Sequence, residues 1–424
     1  MKNLIVFTCL AVHLSLPTFS QKAFVQVVNQ HLTLDGAPYR FIGTNLWYGM
    51  NLGAGNKAQQ SRLTRELDRL ASMGVTNLRI MAASEGPEES PYQNKPILQT
   101  SPGVYNEQLL QGLDFLLIEM GKRNMKAVVC LGNFWMWSGG FPQYVSWANN
   151  SKIPYPDIAG GSSWDDFINY SESFYSEKDA INMYHDFIRF LISRQNSISN
   201  IPYVDDPTIM AWQLANEPRG YSHAREYRKW IKKTAKLIQS LDPNHLVSVG
   251  AEGDTSTKIS GTDLYKDNKS KHIDYATTHL WIQNWGWFDP KDTSSFEKAR
   301  AKALRYLDGQ IRKAEKLGKP LVLEEFGVSR DYGNFEVDSD ISYRNRFYRW
   351  IFSYLIAHND SPLQGCNFWS WGGEGRPTKA GGFWEVGNDL IGDPAHELQG
   401  WYSVYDMDKS TIDIVKTYCD ILNE

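Results

Sequence analysis

The stretch IMAWQLANEPR, residues 209–219, indicates the fold of this chain of 424 residues. Its first six residues form an apolar run with the length of a buried strand, and Asn216, Glu217 and Arg219 follow within five positions. A buried strand that ends in polar and charged side chains is typical of a barrel whose site lies at the carboxyl ends of its strands. We therefore expect further strands of this kind along the chain.

Short apolar runs of this type alternate with longer amphipathic segments, of which 223–241 has the clearest helical spacing. Eight alternations predict an α/β fold, a single (β/α)8 TIM barrel with right-handed crossovers and extended βα loops. A doubly wound sheet is the alternative, but no GxGxxG, P-loop or GxSxG pattern occurs. The predicted strands are 41–46, 77–81, 126–131, 209–214, 246–249, 275–279, 321–325 and 365–369.

The N-terminal part of the chain carries two further signals. Residues 1–20 read as a signal peptide, with Lys2 before the apolar stretch 4–16 and an expected cleavage after Ser20. We therefore expect a secreted protein, periplasmic or extracellular, whose residues 21–424 form one domain without a membrane span. An uncleaved anchor is the alternative, but the apolar stretch is short for a bilayer. Residues 24–41 alternate and contain Asp-Gly, which predicts a β-hairpin that closes the bottom of the barrel.

Composition narrows the class of ligand. The net charge of −4 provides no concentrated basic face, so nucleic acid is not an expected partner. Aromatic residues make up 13% of the chain, and Trp135, Trp164 and Trp287 lie in stretches rich in Gly, Asn and Ser. Such Trp residues can stack on sugar rings, although core packing is the alternative. Of Cys130, Cys366 and Cys419, the first two lie in strand-like runs and are expected to be buried thiols; at most one disulfide could form, and no zinc-binding spacing occurs.

Chemically active side chains fall at the predicted strand ends. Inward-pointing carboxylates from strands four and seven can face each other across a barrel mouth. Retaining glycosidases need two carboxyl groups about 5–5.5 Å apart, one to protonate the leaving oxygen and one to attack the anomeric carbon. Glu217 and Glu325 therefore form the candidate pair. The residues at strand ends are Arg79, Asn216, Glu217, His279, Glu325 and Trp369.

The segments WQLANEPR (212–219) and LEEFG (323–327) resemble glycoside hydrolase family 5, and the likeness extends over essentially the whole chain after residue 20. The resemblance implies that Glu217 is the acid/base and Glu325 the nucleophile. It also implies roles for four neighbours. These are Arg79, which keeps the nucleophile ionised, Asn216, which binds the sugar 2-hydroxyl, His279, which lies beside both carboxylates, and Trp369, which supports the sugar ring.

Within that family, LGNFWMWSGG (131–140) and THLWIQNWGW (278–287) resemble the endo-β-1,4-mannanase subgroup. The subgroup implies hydrolysis of β-mannan, glucomannan or galactomannan with retention. Arg219 would then lie on the leaving-group side, and Glu252 with Trp135 on the side where the new reducing end forms. We expect a monomer without cofactor or metal. An exo-β-mannosidase, an endo-β-1,4-glucanase and a non-catalytic sugar-binding barrel are the alternatives. The long connection between strands three and four, with four Trp residues, is expected to form one wall of the cleft.

Two residues near the predicted nucleophile require comment. Trp281 stands where the family usually has a Tyr that donates its hydroxyl to the nucleophile, and Trp offers only an N–H donor. Glu324 is adjacent to Glu325 and is also acidic. Because neighbours along a strand point to opposite sides, we expect Glu325 to face the mouth and Glu324 to pair with a helix residue.

Overall fold

The computed structural model describes residues 23–156 and 161–423. The predicted signal peptide, residues 1–20, lies outside these ranges. The strands are β1 (Gln26–Val28), β2 (His31–Leu34), β3 (Ala37–Pro38), β4 (Phe41–Asn45), β5 (Asn77–Met81), β6 (Gln99–Ser101), β7 (Val104–Tyr105), β8 (Lys126–Cys130), β9 (Ile209–Gln213), β10 (Leu246–Ser248), β11 (Ala276–Leu280), β12 (Leu321–Phe326), β13 (Leu363–Phe368), β14 (Trp371–Gly373) and β15 (Val404–Tyr405).

Helices connect these strands on the outside of the central sheet. They are α1 (Gly49–Ala54), α2 (Lys57–Ser72), α3 (Glu107–Lys122), α4 (Gly140–Asn149), α5 (Trp164–Glu172), α6 (Lys178–Ile192), α7 (Ala224–Leu241), α8 (Leu264–Asp267), α9 (Phe296–Leu317), α10 (Ser342–Ala357) and α11 (Lys409–Asn423). The predicted helix 223–241 is confirmed as α7. No helix in the described ranges has the length and apolarity needed to cross a membrane.

Eight parallel strands form the barrel, in the order β10, β9, β8, β5, β4, β13, β12, β11. All eight predicted strands are present, and their bounds differ from the predictions by two residues at most. The predicted (β/α)8 barrel is therefore confirmed. Its core lies between the strands and the surrounding helices, where Cys130, Cys366 and Cys419 are buried free thiols.

The barrel closes between β10 and β11 through individual hydrogen bonds. The N–H of Asp274 donates to the carbonyl of Val247 at 2.8 Å, and the N–H of His279 donates to the carbonyl of Glu252 at 3.0 Å. The Thr278 hydroxyl donates to the same Glu252 carbonyl at 3.0 Å. Side chains therefore supply part of the pairing at this junction.

The N-terminal segment forms two successive hairpins, where the alternation predicted one. β1, β2 and β3 make a three-stranded antiparallel sheet. Its turns place Asn29, Gln30, Asp35 and Gly36 at positive φ, the geometry of tight hairpin turns. Leu32 is fully buried in a cluster that includes residues near the N-terminal ends of the barrel strands. The sheet thus closes the bottom of the barrel, as predicted.

Candidate active site

A cavity of about 460 Å³ opens at the carboxyl ends of the barrel strands. Its volume falls in the range of ligand sites, about 300–1,000 Å³. Arg79 and His279 are buried beside it, and the other predicted site residues line it. These lining residues are Trp135, Asn216, Glu217, Arg219, Glu252, Trp281, Glu325 and Trp369. The structure therefore brings all ten predicted side chains to one place.

Glu217 lies in a sharp turn just beyond β9. Its φ is 47°, a left-handed conformation that few residues other than Gly adopt. Its N–H donates to the carbonyl of Gly250 at 2.9 Å. A Cβ at Gly250 would lie 2.1 Å from the Ala215 carbonyl oxygen, so only Gly permits this close approach. The turn directs the Glu217 carboxylate into the cavity, where it accepts from His279 Nδ1 at 2.8 Å and from Trp135 Nε1 at 2.7 Å.

Glu325 lies opposite Glu217, on β12. One oxygen from each carboxylate and a ring nitrogen of His279 lie within 4.8 Å of one another. His279 Nδ1 is 3.3 Å from Glu325 Oε2 and thus stands between the two carboxylates. The spacing of at most 4.8 Å between the oxygens of the two carboxylates is close to the approximately 5–5.5 Å of retaining glycosidases and shorter than the approximately 6.5–9.5 Å of inverting ones.

Arg79, on β5, connects the site to the barrel wall. Its guanidinium donates to Glu325, to Gln213 at 2.7 Å, to Asn216 at 2.8 Å and to Asn45 at 3.1 Å. These acceptors come from β4, β9, β12 and the turn after β9. The planar fork of arginine suits such a set, since a lysine ammonium is a single point charge.

Glu324 does not pair with a helix residue, so that expectation was wrong. Its carboxylate accepts from Gln213 Nε2 at 2.7 and 2.8 Å and lies 3.7 Å from Arg79 Nε, inside the barrel. The pairing of β11 with β12 shifts next to His279, which leaves Glu324 without an opposite residue. This β-bulge breaks the strict alternation on which the expectation rested. Glu325, but not Glu324, lines the cavity.

The two candidate carboxyl groups have different affinities for protons. Burial raises the pKa of Glu325 to about 7, against the attraction of His279 and Arg79. Burial also opposes ionisation of Glu217, but the His279 hydrogen bond and charge and the Arg219 charge outweigh it and lower this pKa to about 2. Burial lowers the pKa of His279, but the two carboxylates outweigh it and raise that pKa overall. Near neutral pH, therefore, Glu217, Glu325 and His279 share protons when no substrate is bound.

Arg219 and Glu252 form one side of the cavity, next to Glu217. The guanidinium binds both oxygens of the Glu252 carboxylate, at 2.5 and 2.9 Å, and lies 4.9 Å from the centre of the Trp135 ring. It also donates to the Tyr221 hydroxyl at 2.8 Å. This pairing fixes a polar wall beside the acid/base candidate. The sequence analysis did not identify Tyr221, which lies in the loop after the Asn-Glu-Pro segment.

Aromatic rings form another side of the cavity, away from the Arg219–Glu252 pair and next to Glu325. Trp281 and Trp137 contact Trp369 edge-on, at ring distances of 6.2 and 6.4 Å. The His396 ring lies parallel to Trp137 at 6.4 Å. Within the described residues, Trp281 makes no hydrogen bond to Glu325, so it does not replace the donor that a Tyr would supply. Trp147, expected in the cleft wall, packs against Tyr144 instead.

The segment 391–402 borders the cavity. Its carbonyl at Gly392 accepts from Trp47 Nε1 at 2.8 Å, and the Asp393 carboxylate accepts from the N–H groups of Gly400 and Tyr402 at 2.9 and 2.7 Å. The segment is therefore firmly held. It places His396 and Glu397 in the cavity lining.

His396 and Glu397 were missed by the sequence analysis. Burial raises the pKa of Glu397 well above its usual value, with Asp393, Glu325 and Glu217 adding to the shift, so the protonated form of this carboxyl is favoured. Burial lowers the pKa of His396 to about 4, so its ring is neutral. The adjacent His and Glu in DPAHELQGWY (393–402) were the available signal, but their position depends on the path of a long connection.

Comparison with known proteins agrees with this geometry. The model of the GH family 5 β-mannosidase-like family matches residues 22–424. The chain belongs to glycoside hydrolase family 5. It is therefore a glycoside hydrolase, as predicted.

Relatives within the family have named activities on mannans. Mannan endo-1,4-β-mannosidase 7 of Arabidopsis thaliana is 32% identical, over 87% of this chain and 84% of the relative. Mannan endo-1,4-β-mannosidase 5 of Solanum lycopersicum is 29% identical, over 86% and 84%. Among solved structures, a glycoside hydrolase family 5 mannosidase from Rhizomucor miehei is 37% identical, with a TM-score of 0.87 over 95% of this chain and 98% of that one.

A metal is not needed to hold this family 5 site together. Among the described residues, Glu217, His279 and Glu325 have the spacing of metal ligands. However, Arg79 already brings a fixed positive charge to Glu325, and His279 Nδ1 lies within reach of both carboxylates. A shared proton and a guanidinium thus supply the charge that a cation would bring.

Replacing Arg79 by Lys is expected to destabilise the fold. One ammonium cannot reach the side chains of Asn45, Gln213 and Asn216 together, and each buried acceptor left unpaired costs about 1–3 kcal/mol. We expect the free energy of unfolding in urea, followed by Trp fluorescence, to fall by at least that amount. Arg65→Lys is the control, because Arg65 is 52% exposed and its pair with Glu374 contributes about 0–1 kcal/mol. Equal effects of the two substitutions would contradict the role assigned to Arg79.

Proposed function

We propose that the protein is a retaining β-mannosidase that removes mannosyl units from the non-reducing ends of β-1,4-linked mannosides. The observation that carries the proposal is the Glu217–Glu325 pair in a cavity that segment 391–402 borders with His396 and Glu397. We further propose that residues 21–424 are one catalytic domain, secreted after cleavage near Ser20. An endo-β-1,4-mannanase is the second candidate, favoured by the names of the relatives from Arabidopsis and tomato.

In the first step, the Glu325 carboxylate attacks the anomeric carbon while the Glu217 carboxyl protonates the glycosidic oxygen. The C–O bond to the leaving sugar breaks, and a covalent mannosyl-enzyme forms. In the second step, Glu217 takes a proton from water, the water oxygen attacks the anomeric carbon, and the bond to Glu325 breaks. The anomeric configuration is therefore retained after two inversions.

Substrate binding must place the shared proton on Glu217. In the empty site Glu217 accepts two hydrogen bonds, from His279 and Trp135, which favour its ionised form. A glycosidic oxygen that approaches Glu217 is a hydrogen-bond acceptor and favours the protonated form. Glu325 meanwhile faces the anomeric carbon, which becomes positive in the transition state and favours the carboxylate. The number of protons in the site is unchanged, and only the position of the shared proton changes.

Three neighbours would assist these steps. Arg79 donates to Glu325 and to the Asn216 side-chain oxygen, which leaves the Asn216 amide N–H₂ to bind Asn133 at 3.1 Å and the sugar 2-hydroxyl. Trp369 lines the cavity beside Glu325 and offers a ring face to the sugar that is attacked. Positioning of this kind aligns the reacting atoms before the chemical step.

The preference for chain ends rests on the asymmetry of the cavity. Trp137 contacts the Trp369 ring edge-on, the His396 ring lies parallel to Trp137, and segment 391–402 is held in place beside them. We propose that this group closes the side of the cavity next to Glu325 and leaves room for one terminal sugar. A neutral His396 ring and the Glu397 carboxyl, whose raised pKa favours the protonated form, can both hydrogen-bond sugar hydroxyls. The Rhizomucor relative is named as a mannosidase, and a variant of it has been crystallised with mannosyl-fructose.

Product analysis on mannohexaose tests this function. We expect the purified enzyme to release mannose and mannopentaose first, because only the terminal unit fits the closed side. Mixed di-, tri- and tetrasaccharides at early times would instead establish the endo-acting candidate. Cellohexaose, run in parallel, is expected to remain intact, and its cleavage would contradict the mannoside assignment.

The activity should depend on pH through the shared proton. The pKa of Glu325 in the free site is about 7. As pH rises through this value the carboxyl pair loses its only proton, so no acid remains to protonate the leaving oxygen. We expect kcat/KM on mannobiose to decrease above about pH 7, by about tenfold per unit, in assays from pH 5 to 9. Recovery after return to pH 6 excludes unfolding, and full activity at pH 9 is incompatible with the mechanism.

The two carboxyl groups should respond differently to removal. Glu325→Ala is expected to abolish turnover of every mannoside, because no covalent intermediate can form. Glu217→Ala should lower kcat/KM on mannobiose by about 10²–10⁴-fold, but far less on p-nitrophenyl β-mannoside, whose leaving group needs no proton. Glu297→Ala, at an exposed surface acid, is the control and should retain full activity. The assignment fails if both substrates lose equal activity in Glu217→Ala.

A further inference from the structure

The leaving-group side of the cavity can be identified from the contacts of Glu217. The acid/base must touch the glycosidic oxygen, so the leaving sugar lies on the side of Glu217 that faces away from Glu325. On that side Trp135 Nε1 donates to Glu217 at 2.7 Å, and Arg219 lies 4.9 Å over the Trp135 ring. Trp135 and Arg219 therefore flank the first sugar beyond the cleaved bond.

Trp164 continues this wall outward from the reacting groups. Its ring lies 6.2 Å from Trp135 and 6.0 Å from Phe167, edge-on to both. The ring also lines the cavity, although 51% of the residue is exposed. Phe167, one turn further along α5, is fully buried and fixes one edge of the indole. The remaining surface of Trp164 is an apolar face in contact with water.

The start of α5 holds Trp164 in place. Ser163 caps the helix, with its hydroxyl accepting from the Asp166 N–H at 3.1 Å. The Asp166 carboxylate accepts in return from the Ser163 N–H at 3.0 Å. This reciprocal capping box satisfies helix-terminal donors and sets the position of the first helical residue, Trp164. The indole is thus presented to the cavity by an ordered helix terminus.

A second wall of the cavity, apart from the one that contains Trp164, is suited to a sugar chain. It is formed by the loop 255–260, which contributes four hydroxyl-bearing residues and Ile259 to the cavity lining. Ser256 and Thr257 are exposed, and Ile259 is 76% exposed. An apolar ring on one wall and hydroxyl groups on the other match a pyranose, which has C–H faces and a polar edge. Lys258, the charged residue of this loop, does not line the cavity.

We propose that Trp164 forms a distal subsite for a β-mannosyl unit on the leaving-group side, one sugar or more beyond the unit held by Trp135 and Arg219. The occupant is the continuing β-1,4-mannan chain, so this inference rests on the proposed function. The subsite makes the enzyme sensitive to the length of the leaving chain. Substrates with a single leaving sugar do not reach Trp164, whereas longer ones bury its exposed face.

The test is kcat/KM for mannobiose, mannotriose and mannotetraose with the wild type, Trp164→Ala and Trp164→Phe. Trp164→Ala should lower kcat/KM for mannotetraose by about 5–10-fold more than kcat/KM for mannobiose, with most of this difference removed in Trp164→Phe. Phe383→Ala, at an aromatic residue that is 39% exposed and does not line the cavity, should change none of the three values.

Other outcomes separate the two proposals. If Trp164→Ala lowers all three values equally, or none of them, the distal subsite is wrong while the proposed activity stands. If the wild type cleaves none of the three mannosides, both proposals are overturned. Calorimetric binding of mannotetraose to Glu325→Ala provides a readout without turnover, and the added Trp164→Ala substitution should weaken that binding by a similar factor.

Discussion

The site depends on a single buried guanidinium. Arg79 is placed by β5 in the centre of the barrel mouth, where its donors meet oxygens from β4, β9, β12 and the turn after β9. A charge in this position is stable because Glu325 and Glu324 balance it and its N–H groups donate hydrogen bonds to Glu325 and to three amide oxygens. The same contacts fix the distances between the side chains that act on the substrate. Fold stability and site geometry are therefore set by one group.

The sequence predicts much of this arrangement because parallel barrels follow simple rules. Each strand is a short apolar run, and six functional residues lie where such runs end, so eight strands and these six residues can be located from one chain. The other four site residues, Trp135, Arg219, Glu252 and Trp281, were assigned from the likeness to the family. Glu217 and Glu325 are brought together by topology alone. The motifs identify the family, and the family model over residues 22–424 bears this out.

Features set by irregular backbone were not predictable in this way. The bulge at Glu324 changes which way a side chain points, and alternation gives no sign of it. The positions of His396 and Glu397 depend on a long connection held by Asp393, whose contacts lie within that same segment. The division of protons between Glu217 and Glu325 depends on burial and on His279, which only coordinates reveal.

The closure of the barrel has a consequence for how heat inactivates the protein. Seven of the eight strand junctions are paired backbone ladders, while the junction of β10 with β11 relies on separate bonds that include the Thr278 hydroxyl. Local opening requires less free energy where fewer cooperative bonds must break. The Glu252 carbonyl accepts at this junction from His279 on β11, whereas Glu217 donates to Gly250 on the β10 side, so opening there separates His279 from the acid/base and from the leaving-group wall. Loss of function on heating is therefore expected to begin at this junction, before the surrounding helices melt.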